Sequence, residues 1–141
     1  MIQEIEDKKK IAKLSYCWCL MNLKRSKYHE SVPKIIIKFG QSERFRGYFN
    51  NRKNIICIFL GNHKNFDDIC QTVIHEWKHY QQNLKMYDRY ITLYGRNFKN
   101  HPYEKVAENF AIKNFEECGE WVNSKIHLST KEITNLCIKS I

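Results

Sequence analysis

The chain has 141 residues, 43% of them hydrophobic, which is enough for one domain around one core. Its longest apolar runs, such as Ile35–Ile37 and Ile55–Leu60, fall far short of the ~20 residues that cross a bilayer, so no membrane role is expected. The formal net charge is +9, but the cations are scattered and only Lys8–Lys10 form a run of three; this favours a solvated basic surface and leaves nucleic acid a weakly supported partner.

The opening segment, MIQEIEDKKK, has no apolar stretch of the secretory kind, and a cytoplasmic protein is expected. Six cysteines (Cys17, Cys19, Cys57, Cys70, Cys118 and Cys137) form no CxxC pair, and in a reducing compartment they read as buried thiols.

Residues 4 to about 27 carry Ile5, Ile11, Leu14, Cys17 or Trp18, and Met21 at spacings of three to four, which predicts a helix. Pro33 ends that pattern. Lys34 to Gly40 (KIIIKFG) is β-branched and closes on glycine, as a strand does. Arg44 to Phe49 alternates in strand fashion, and Asn50-Asn51-Arg52-Lys53 reads as a hairpin turn. Asn54 to Gly61 (NIICIFLG) is apolar on both sides and is expected to be a central strand.

A helix follows, capped by Asn65 or Asp67 and running to about Tyr87. Its apolar face comprises Phe66, Ile69, Val73, Trp77, Tyr80 and Leu84. Residues 88 to 102 read as a loop. Tyr103 to about Cys118 forms a second helix, with Gly119 expected just past its end. Thr130 to Ser140 is a weaker C-terminal helix. There is no repeat and no linker. The order predicts a single α+β domain over 1–141: an N-terminal helix, a small three-stranded, mainly antiparallel sheet, then the remaining helices.

The strongest chemical signal is His75-Glu76-Trp77-Lys78-His79. Positions 75 and 79 lie one helical turn apart, so both imidazoles leave the same face and can bind one zinc ion. Glu76, beside the first histidine, can act as general base toward a water that the metal activates. The bland reading is two surface histidines and a solvated glutamate. Against it stands the apolar face of Val73, Trp77 and Tyr80, which packs the helix while the histidines look elsewhere.

A third ligand must come from downstream. A metzincin continuation would need Gly and His three and six residues after His79; Gln82 and Lys85 stand there, which excludes that class. The candidates are His101 and Glu104. Glu104, in the first turn of the next helix, can aim across an antiparallel helix pair and is favoured; His101 sits in the loop before Pro102, where its aim is less determined. Ala107 would let the helices approach, and Glu108 can accept a hydrogen bond from a ligand histidine or simply face solvent. Tyr90, Tyr94 and Tyr103 are near enough in sequence to contact an oxyanion, although each reads first as a half-buried tyrosine. His63 reads as a loop histidine, and the strand edge before it as a place where an extended peptide can add.

HEWKH followed by an ExxAExFA segment resembles the gluzincin zinc peptidases, specifically the minimal one-domain members and the ImmA/IrrE-type and HtpX-like families. The resemblance covers roughly residues 72 to 111. It implies a zincin-like fold, a Zn2+ cofactor held by His75, His79 and Glu104, Glu76 as general base, and a protein or peptide substrate. Glu108 stands where such families carry Asp or Asn, and the transmembrane helices of the HtpX-like group are absent. Two other readings compete: a catalytically silent zincin-fold protein with a regulatory or nucleic-acid-associated role, and a structural domain with an accidental motif.

Overall fold

The computed structural model describes residues 2–42, 45–86, 89, 93 and 101–141. Helix α1 spans Ile2–Asn22, strands β1, β2 and β3 span Lys34–Lys38, Gly47–Asn50 and Ile55–Phe59, and a 3-10 turn covers Leu60–Asn62. Helices α2 (Phe66–Gln81), α3 (Pro102–Lys125) and α4 (Thr130–Ser140) complete the described elements. The fold is α+β, and among the described residues its elements are the four helices above and a small mixed sheet. Among the described residues no helix is long and apolar enough to cross a membrane.

The sheet order is β1-β3-β2. Strand β3, the most apolar of the three, takes the centre as expected: Ile56, Cys57 and Ile58 are buried. It pairs antiparallel with β2 and parallel with β1. The expectation of a mainly antiparallel sheet is therefore corrected to a mixed one. Among the described strands only β2 and β3 are joined by a hairpin. Its turn holds because Asn50 accepts the Lys53 backbone N–H through Oδ1, at 3.1 Å, and Asn54 takes φ 54°, a left-handed conformation that asparagine tolerates.

Helix α1 is no surface amphipath. Ala12 and Leu14–Leu20 are all buried, because α1 packs against α2, α3 and α4 together. It ends at Asn22, short of the expected 27. Lys24 beyond it gives its carbonyl to Trp77 Nε1 (3.3 Å) and Gln81 Nε2 (2.8 Å), so this stretch serves α2 and does not continue its own helix. The other boundaries shift for similar reasons. Strand β1 stops at Lys38 and β3 at Phe59 because Gly40 and Gly61 bring two chain segments together, Gly61 N–H donating to Gly40 O at 3.2 Å. A Cβ at Gly61 would lie 2.8 Å from that oxygen.

Asn65 caps α2 by accepting the Asp68 N–H, and Asp67 and Asp68 fall in its first turn, where the helix dipole favours anions. The helix ends at Gln81 rather than near Tyr87, which lies outside the described residues. Helix α3 does not stop before Gly119. Gly119 is buried within it, and the Phe66 ring approaches to where a Cβ would be 3.3 Å away. Trp121, Val122 and Ile126 prolong the apolar stripe, so the helix runs to Lys125. Ser129 and Glu132 form a capping box at the start of α4.

Candidate metal centre

Helices α2 and α3 pack side by side, and the buried Ala107 and Ala111 leave them room to approach closely. The apolar side of α2, including Ile69, Val73, Trp77 and Tyr80, faces the core. His75 and His79 therefore emerge on the flank that meets the first turn of α3, where Glu104 stands.

Ligand-type atoms of His75, His79 and Glu104 all lie within 4.8 Å of one another. His75 Nε2 is 3.1 Å from Glu104 Oε2, His79 Nε2 is 2.9 Å from Glu104 Oε1, and the two Nε2 atoms are 3.2 Å apart. Zinc bonds of ~2.0–2.1 Å in a tetrahedron put ligand atoms ~3.3 Å from each other. The observed separations fall within a few tenths of an ångström of that, so these side chains fit such an ion with small adjustments. His75 and Glu104 are each about one-quarter exposed (24%), which leaves an open side for a substrate or water.

Glu76 is buried, and its Oε1 lies 4.0 Å from His75 Nε2. Burial pushes its carboxyl up, a shift that the neighbouring imidazoles oppose and Glu104 reinforces. Glu104 shows the opposite balance. Burial alone would raise it, yet the hydrogen bonds and charge of His75 and His79 outweigh burial and bring it to about 2. Burial pulls His79 down, but Glu104, Glu76 and Gln82 together leave it raised.

The remaining expectations divide. His101 is not among the clustered ligand residues: it is buried as the cap of α3, its Nδ1 accepting the Tyr103 N–H at 3.1 Å. Glu108 is exposed on the rim of the cleft, and the partner of His79 Nδ1 is Gln82 (2.7 Å), a residue that sequence reasoning used only to exclude the metzincin pattern. Tyr90 and Tyr94 lie outside the described residues. His63 lies between the 3-10 turn and α2, a loop histidine as expected, and it is buried as a latch: Nδ1 donates to Phe59 O at 2.7 Å and Nε2 meets Thr72 Oγ1 at 2.9 Å.

The cluster opens into a cleft of about 830 Å³ whose far wall is β2 and the residues beside it, Phe45 to Phe49. Strand β2 can lie close because residue 47 is glycine; a Cβ there would sit 2.7 Å from Cys57 O and 3.0 Å from Thr72 Cγ2. The edge of the sheet that borders the cleft is therefore β2, not the end of β3 as the sequence suggested. No family model, curated protein or solved structure matches this chain.

Proposed function

We propose that the protein is a zinc-dependent peptidase of the gluzincin kind, zincin-like in fold, that hydrolyses peptide bonds in a cytoplasmic setting. The observation that carries this reading is the convergence of His75, His79 and Glu104 beside a buried Glu76, at the base of an open cleft. The six free cysteines are in keeping with a reducing compartment.

His75, His79 and Glu104 would hold the ion. Bound there, zinc supplies Lewis acidity, acidifying a water and polarising a carbonyl. Glu76 takes a proton from the attacking water and returns it to the leaving amine; its upward-shifted carboxyl suits both halves of that transfer. The outer edge of β2 presents backbone N–H and C=O groups along the cleft, which an extended peptide can pair with by strand addition. Substrate main chain would then lie beside Glu76.

Two histidines and a carboxylate also suit iron(II). The buried proton-transfer group beside them favours hydrolysis, and the test should measure both metals. Protein purified without added metal is analysed for zinc and iron, then incubated with a peptide library read by mass spectrometry, in parallel with Glu76→Gln. Cleavage by the wild type and none by Glu76→Gln supports the peptidase. Zinc without cleavage leaves the silent binding protein. Iron in place of zinc overturns the reading.

A further inference from the structure

We infer that Gln82 is the positioning residue of the metal centre, fixing which nitrogen of His79 faces the ion and how far His79 stands from the segment that carries Glu104. The inference rests on the proposed zinc site.

Helix α2 ends at Gln81, and Gln82 leaves it in an extended conformation, φ −83° and ψ 152°. Three bonds hold this residue. Its backbone N–H donates to His79 O at 3.1 Å, its Oε1 faces His79 Nδ1 at 2.7 Å, and its Nε2 donates to Tyr103 O at 3.1 Å. Only 7% of its surface is exposed, so water does not replace these partners freely.

The identity of each atom follows from chemistry. A backbone carbonyl such as Tyr103 O can only accept, so the amide group facing it must be the NH2. The other amide atom is then the oxygen, which can also only accept, so His79 Nδ1 must carry hydrogen. In the neutral ring, Nε2 is then bare and directs its lone pair at His75 Nε2 and Glu104 Oε1, 3.2 and 2.9 Å away. Without metal, a proton on Nε2 bonds the ring to Glu104 across that separation; an ion binds there in place of that proton. The amide thus commits His79 to the tautomer that binds metal.

The second bond has a separate effect. Tyr103 immediately precedes Glu104 in the first turn of α3. Through one side chain, a ligand on α2 is tied to the backbone that carries the ligand on α3. Partners of this type typically change metal affinity by about 10- to 100-fold.

Two substitutions separate the effects. Gln82→Met keeps length and volume but removes both side-chain bonds. Gln82→Glu keeps an acceptor at the same reach for His79 Nδ1 and removes the donor to Tyr103 O. Zinc affinity is read by competition with a chromophoric chelator, and the fold of each metal-free variant by circular dichroism and melting temperature. Should Gln82→Met fail to fold, Gln82→Asn, one methylene shorter, replaces it. The expected result is zinc binding weakened about 10- to 100-fold in Gln82→Met, and restored most of the way in Gln82→Glu. Wild-type affinity in Gln82→Met would overturn the inference and leave the zinc site intact. Equal weakening in both variants would assign Gln82 a tethering role alone and overturn the tautomer argument. Absence of zinc from the wild type would remove the site and the inference together.

Discussion

Glu76 and Glu104 face the same two imidazoles, yet their carboxyls are pushed in opposite directions. The difference lies in contact. Glu104 takes a short bond from each ring, whereas Glu76 is buried at the cleft with its carboxylate 4.0 Å from His75. In the proposed mechanism such a split suits separate tasks, one carboxylate to hold charge and one to move a proton. Glu76→Gln should therefore keep zinc and melting temperature while lowering peptide turnover by about 10²- to 10⁴-fold, the usual size of a general-base contribution; an unchanged rate would remove Glu76 from the chemistry. Glu104→Ala should lose the metal. His101→Ala should keep it and cost about 1 kcal/mol through loss of the α3 cap, measurable by denaturant unfolding. At this scale the HExxH pair was legible, since it needs only the four-residue repeat of a helix. Glu104, 29 residues from His75, was favoured over His101 on helix-pair geometry, and the resemblance pointed to the same residue. Gln82 was not legible, because its part depends on α2 ending one residue earlier, and the sequence carries no glycine or proline to mark that end.

At the scale of elements, the helices and strands were readable from periodicity, but their ends and pairings were not. Gly119 looked like a stop because glycine commonly follows helices; here the packing of Phe66 gives it a place inside one. Hairpin logic holds for β2 and β3, where the turn is local, and fails for β1, whose partner is the later strand with the more apolar face. The spacing that marked α1 as a helix did not show its surroundings: residues 14–20 are buried on every side, so that stretch has no polar face. Gly47 links an element to the site. Gly47→Ala should force β2 away from Thr72 and destabilise the protein by about 1–3 kcal/mol, as overpacking does. Peptide cleavage should fall as the wall of the cleft moves. A variant of wild-type stability would show that β2 does not depend on this close approach.

For the whole molecule, a zinc ion bound at the proposed site would cross-link α2 and α3, two of the helices that enclose the core. Chelation should lower the melting temperature, and the loss should vanish in Glu104→Ala. A second lever is pH. Burial, above all, holds His63 below the usual histidine value, with the charges of Arg46 and Lys8 acting the same way and Phe59 O and Asp68 opposing. The unfolded chain therefore takes up this proton first. The contribution of His63 is complete above the unfolded value of about 6.5 and is lost as pH falls from there through the folded value. Melting temperatures between pH 8 and 5 should fall more steeply in the wild type than in His63→Gln; parallel curves would mean that His63 does not couple folding to pH.

The proposed site is tested most directly by zinc content per chain, measured by elemental analysis on wild type, Glu104→Ala and His101→Ala, each purified without added metal. It predicts about one zinc per chain in the wild type and His101→Ala, and loss of zinc in Glu104→Ala. A wild type that takes up no zinc even after reconstitution, or a Glu104→Ala variant that keeps it while His101→Ala loses it, would contradict the site described here.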